Sequence, residues 1–173
     1  PCTTNEAGEA IIAMIKHGGV GYLRLDKTSA ENSSVVRPFV IGKSRRYKEG
    51  KDITLAATGG ILNDVNIASI KLKKLGIDAR VIGIHSIKPI DKDEIIDSAI
   101  NTGGIVTVEE HNKDGGLGSA IAEVCMDFGV MPKKFLRIGL DNVYSSIVGS
   151  QQYLRFRYGM DSEAIVNKVK NIL

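Results

Sequence analysis

The chain has no tryptophan, four prolines, three histidines and two cysteines in 173 residues. Each scarcity excludes something. Cys2 and Cys125 form no C-x-x-C pair and have no partner His motif, which argues against a disulfide framework or a structural zinc site. Cys125 falls on the apolar stripe of a predicted helix and reads as a small core residue. The spacing of His17, His85 and His111 fits no metal signature, so no metal ligands are expected. No apolar run approaches the ~20 residues of a membrane span, and no signal peptide is visible. Charge of one sign is also missing: 23 Lys and Arg face 20 Asp and Glu, a net +3. The densest basic groups, Arg45-Arg46, Lys71/Lys73/Lys74 and Lys133-Lys134, sit beside acidic or apolar residues. They read as solvated faces and not as a nucleic-acid patch. Neither nucleic acid nor membrane is therefore expected as a partner, and nothing demands an oxidising compartment.

What is present suits one domain with an appendage. Hydrophobic residues make up 43%, enough for a core and too many for a disordered chain. Thr3 to Glu6 has the S/T-x-x-E capping pattern, and Ala7, Ala10, Ile11, Met14 and Ile15 follow as one stripe up to Gly18-Gly19. A short strand is predicted over Val20–Leu25. Residues 26–50 are polar, aperiodic and linker-like. Regular alternation then begins, with strands expected at Asp52–Thr58, Ala79–Ile84, Ile105–Val108 and Phe135–Ile138. The intervening helices carry Val65/Ala68/Leu72, Ile95/Ile96/Ala99/Ile100 and Leu117/Ile121/Val124/Phe128. Asp64 and Asp91 are candidate caps. A last helix from about Asp161 turns Ile165, Val166, Val169 and Ile172 inward. Strands alternating with helices imply a three-layer α/β/α domain around a mostly parallel sheet.

Two strand–glycine–helix junctions, Thr58-Gly59-Gly60 and Gly115-Gly116-Leu117-Gly118, could receive an anion at free helix amides. Neither matches a dinucleotide or P-loop fingerprint, and tight turns explain the glycines as well. Glu109-Glu110-His111 ends a strand, where open α/β sheets place their sites. A carboxylate beside an imidazole could move a proton or anchor a loop, and adjacent acids on a strand face opposite sides. On this reading Glu110, His111, Gly115, Gly116 and Gly118 form one candidate loop or anion site.

The order of motifs is more specific than any one of them. Gly83 to Asp91 (GIHSIKPID) resembles the "TIKPLD" element of transketolase C-terminal domains. Thr107 to Asn112 and Gly115 to Ala120 resemble the family's "TVEEHN…GGLGSA" run. Gly50 to Gly59 resembles its "EGKDVTLIATG" strand. Gly149 to Leu154 and Tyr158 to Asp161 resemble its closing segment. Tyr22 to Lys27 (YLRLDK) is closer to transketolases, above all those encoded as two subunits, than to the "VRYPRG" of deoxyxylulose-phosphate synthases. Dehydrogenase E1 β-subunits share the KPxD and VEE elements but close differently.

The resemblance implies that residues 1–27 end a pyrimidine-binding domain with its last helix and strand. A linker would span 28–50 and the transketolase C-terminal domain 51–173. It implies a parent enzyme that moves a two-carbon ketol unit between sugar phosphates, as in the pentose phosphate pathway of the cytoplasm. That enzyme would use thiamine diphosphate and Mg²⁺. The family's cofactor residues belong to an upstream segment, so this part is expected to hold no cofactor, metal or catalytic residue and to be inactive alone. Its expected partner is an N-terminal thiamine-binding subunit or domain, within a homodimer or heterotetramer. Lys27 stands where transketolases often carry a phosphate-binding Arg. It could hold a sugar phosphate as a point charge but without the bidentate fork. The alternatives are a deoxyxylulose-phosphate synthase, which takes pyruvate as donor, an E1 β-type subunit, a free-standing α/β anion-binding module, and an assembly scaffold.

Overall fold

The computed structural model describes residues 1–27 and 38–173. Helix α1 (Thr4–His17) leads, followed by β1 (Arg45–Lys48), β2 (Ile53–Ala57), α2 (Leu62–Lys74), β3 (Ala79–Gly83) and α3 (Lys92–Asn101). Then come β4 (Ile105–Asn112), α4 (Leu117–Asp127), β5 (Phe135–Leu140), α5 (Gln151–Arg157) and α6 (Ser162–Ile172). The five strands form one sheet in the order β1-β3-β2-β4-β5. β1 runs antiparallel to β3 and the other pairings are parallel. The expected α/β sheet is thus observed. No helix among the described residues is long and apolar enough to cross a membrane.

The strands are apolar because both faces of the sheet are covered. Successive side chains point to opposite faces, which splits the core in two. Ile53, Leu55, Ala57, Val81, Val106 and Val108 face one layer, with Leu72 of α2, Ile165 and Val169 of α6, and Cys2. Ala56, Ile82 and Ile105 face the other, with Ile95 and Ala99 of α3 and Ile121 and Cys125 of α4. Both cysteines are buried free thiols, and burial pushes Cys2 up to about 12.

Four local expectations are corrected. Val20–Leu25 is not a strand: no described strand pairs with it, so its backbone has no ladder. Residues 45–48, inside the expected linker, form strand β1; the stretch 28–37 lies outside the described residues. Asp64 does not cap α2, which begins at Leu62 straight out of a 3₁₀ turn over Gly59–Ile61. Ile100 and Phe128, expected inside, are exposed, because Ile100 sits on the last turn of α3 and Phe128 just past the end of α4; Lys92 lies over the Phe128 ring at 5.2 Å. The Asp91 cap is observed, its carboxylate accepting from the Glu94 amide at 3.5 Å.

Helix α1 docks by an unexpected face. Ile11 and Ile15 of its apolar stripe are exposed, whereas Glu6 is fully buried. The reason is polar. Tyr47 on β1 donates to Glu6 Oε1 at 2.6 Å, and the Cys2 amide donates to Oε2 at 2.6 Å. Arg45 lies 3.6 Å from Glu6 and 2.5 Å from Glu9. Arg45 is therefore no solvated surface charge. Nor is Arg46, which grips Glu94 and Asp97 of α3.

Leu55 sits fully buried on the central strand. Leu55→Ala is expected to cost about 2–5 kcal/mol, read as a lower urea midpoint of the full chain at unchanged slope.

Candidate functional site

In an open α/β sheet, loops leaving adjacent strands in opposite directions open a crevice at the strands' carboxyl ends. Here the chain leaves β2 toward β3 and leaves β4 toward β5, on opposite sides of the β2–β4 pair. A cleft of about 1010 Å³ lies at that point. Thr58 and Gly59 beyond β2, His85 beyond β3, and Glu110 and His111 at the end of β4 line it. The segment after α1, including Arg24 and Asp26, forms its other wall. One of the two glycine junctions and the Glu110-His111 pair therefore do meet.

The other junction is corrected as an anion site, because it already holds an anion of its own. The amides of Leu117 and Gly118 donate to the Glu109 carboxylate at 2.6 and 2.9 Å. The Gly115 amide goes to Ser119 Oγ at 3.1 Å. A side chain at Gly116 would meet Glu109 Oε2 at 2.0 Å, so glycine there is the condition for the carboxylate's approach. Burial pushes the Glu109 carboxyl above its usual range, although the two amides, His111 and Arg137 pull it down. A carboxylate on a helix N-terminus does what a phosphate would do, and leaves no room for one.

Glu110 points to the opposite side, as adjacent strand residues must. Arg155 of α5 holds it with a two-bond fork, Nε and Nη2 each at 2.8 Å, and reaches Asp64 of α2 with Nη1 at 2.9 Å. The Gln151 amide donates to the same carboxylate at 2.9 Å. Glu110 is thus an anchored loop carboxylate. His111 is exposed beside it on the cleft wall.

Lys27 is exposed and stands outside the cleft lining; its amide donates to Asp26 Oδ1 at 2.7 Å. Sequence reasoning did not assign Arg155, Gln151 or Phe39 to the site. The visible signal for α5 was Ser150, which caps it by accepting from the Tyr153 amide at 3.2 Å. Phe39 stacks on His85 with ring centroids 4.1 Å apart. His85 Nδ1 lies 3.0 Å from Ser86 Oγ. Burial pushes His85 down to about 4; Arg45 adds to this, while Glu6 and Asp91 oppose it.

The sheet, its antiparallel edge and a cleft at the switch point define an α/β/α domain with an open crevice at the strand ends. Residues 42–165 match the family "Transketolase, C-terminal domain". The chain belongs to that family. It is 31% identical over 173 residues to the 6-deoxy-6-sulfo-D-fructose transketolase subunit SqwH of Clostridium sp. (strain MSTE9), covering 99% of this chain and 53% of that protein. It is 33% identical over 171 residues to a 1-deoxy-D-xylulose-5-phosphate synthase of Syntrophotalea carbinolica, covering 97% and 27%. A solved split gene transketolase, an inactive beta4 tetramer, superposes with a TM-score of 0.73 at 35% identity, covering 84% of this chain and 47% of that one. The chain thus spans about half, or less, of the relatives it matches.

The His85 pKa lies below the ~6.5 of an unfolded chain, so the unfolded state takes up the proton first. This contribution to stability is complete above about pH 6.5 and is lost as pH falls toward 4. His85→Gln is expected to flatten the fall in urea midpoint over that window, and NMR titration should show a neutral ring down to about pH 5.

Proposed function

We propose that this chain is the C-terminal part of a thiamine-diphosphate-dependent transketolase of the two-subunit kind. The assembled enzyme moves a two-carbon ketol unit from a ketose phosphate to an aldose phosphate. The observation that carries this reading is the match to a transketolase subunit along 99% of the chain. The structural likeness to a split gene transketolase supports it. The enzyme assembles with an N-terminal thiamine-binding subunit or domain. Two buried free thiols suit a reducing compartment such as the cytoplasm.

Among the described residues no group of three or more His, Cys, Asp or Glu is placed to hold a metal ion. The two carboxylates at the end of β4 are already held, Glu109 by amides and Glu110 by Arg155. On this reading thiamine diphosphate and Mg²⁺ belong to the partner part. This chain supplies a wall of the site and a surface for assembly. Lys27, exposed beside Asp26, is its one candidate for a substrate phosphate, as a point charge. The part alone is expected to be inactive.

A second reading, a deoxyxylulose-phosphate synthase, is favoured by the 33% identity to such an enzyme along 97% of the chain. A donor assay on the assembled enzyme with thiamine diphosphate and Mg²⁺ separates the two. Ketol transfer from a ketose phosphate, with no product from pyruvate and glyceraldehyde phosphate, is the expected result; the reverse would overturn the transketolase reading. Lys27→Ala in that enzyme should raise KM for phosphorylated donors by about tenfold, the value of one charge-assisted contact. Unchanged kinetics would remove Lys27 from the site.

A further inference from the structure

Asp26 lies on the cleft wall that faces the strand tips, with Lys27 next to it outside the lining, and both are far in sequence from the strand ends across the cleft. The Gln151 side chain joins Asp26 to them. The Gln151 amide nitrogen lies 3.4 and 3.5 Å from the two oxygens of Asp26, and 2.9 and 3.1 Å from those of Glu110. A primary amide has two N–H donors. One can serve each carboxylate, so Gln151 sits as a neutral bridge between two anions that would otherwise repel.

The domain side of this bridge is fixed. Glu110 is clamped by the nearly buried Arg155, which is also tied to Asp64. Gln151 itself starts α5, whose cap is Ser150. The bridge therefore runs from a braced carboxylate to an exposed one. The exposed end adjoins Lys27, whose backbone amide is turned onto the Asp26 carboxylate.

We propose that Gln151 is a positioning residue. By joining Asp26 to the Glu110–Arg155 clamp, it holds the Asp26–Lys27 segment against the strand tips and so sets the enzyme's preference for phosphorylated donors. The second half of this inference rests on the reading of Lys27 as a phosphate contact. Gln151 touches no reacting atom.

The chemistry distinguishes a bridge from mere packing. Gln151→Glu keeps the shape of the side chain but sets a third carboxylate between two others. Gln151→Ala removes the bridge without adding charge. A packing role ranks Glu as the milder change, and a bridging role ranks it as the more damaging.

The test uses the full chain in its assembled enzyme, with wild type, Q151A, Q151E and K27A compared. The first readout is the initial rate of tryptic cleavage after Lys27, which needs no activity. The second is KM for a ketose phosphate against KM for an unphosphorylated ketol donor. Cleavage is expected to speed up about threefold or more in Q151A and further in Q151E, as expected for loss of hydrogen bonds to charged groups. KM for the phosphorylated donor should rise about five- to tenfold more than KM for the unphosphorylated one. Unchanged cleavage in both variants, or a milder effect in Q151E than in Q151A, would overturn the bridge. Faster cleavage with equal changes for both donors would overturn its role in donor preference. If K27A also treats both donors alike, the phosphate reading of Lys27 has failed; if K27A discriminates and Q151A does not, only the role of Gln151 has failed.

Discussion

A carboxylate taken out of water must be given hydrogen bonds by the chain that buries it. Strand β4 carries two such groups side by side in its second half, Glu109 and Glu110, and each draws a helix to the strand. Glu109 turns to one face and gathers the first amides of α4. Glu110 turns to the other and gathers Arg155 and Gln151 of α5. The same alternation that separates the two layers of the core thus ties one helix to each side of the strand. Replacing either acid would leave a helix start or a guanidinium without its counter-charge, the costly half of a broken buried pair.

Helix α1 obeys the same constraint at the other side of the sheet. Its docking is decided by one buried acid, Glu6, and by the donors that β1 and the Cys2 amide offer it. Part of the apolar stripe that dominates the helix pattern stays in view, with Ile11 and Ile15 exposed.

The sheet was legible in the sequence because parallel strands buried on both faces leave uninterrupted apolar runs such as Ile53–Ala57. The α6 stripe and the Asp91 cap were legible for equally local reasons. Strand β1 was not, since Arg45-Arg46-Tyr47-Lys48 carries no apolar run and becomes a strand only by pairing with β3. The Thr58 and Glu110-His111 corner was visible as a place, because strand ends before glycines mark where such sheets open. Its actual wiring was not, because Glu110, Arg155 and Asp64 are brought together from three distant elements. The glycine run before α4 pointed to a ligand that the protein supplies itself, in the form of Glu109; no local pattern distinguishes an inner carboxylate from an outer phosphate.

The outer strand β1 has a consequence for how the domain can be joined. It is short, it carries three cations in four residues, and its register with β3 slips between Arg46 and Lys48. Such an edge is a poor template for another chain's strand, because a short and irregular ladder resists continuation of the sheet. On that flank, growth by strand addition is discouraged. Whatever protein docks there must meet side chains of helices and loops, and recognition falls to shape and charge instead of shared backbone ladders.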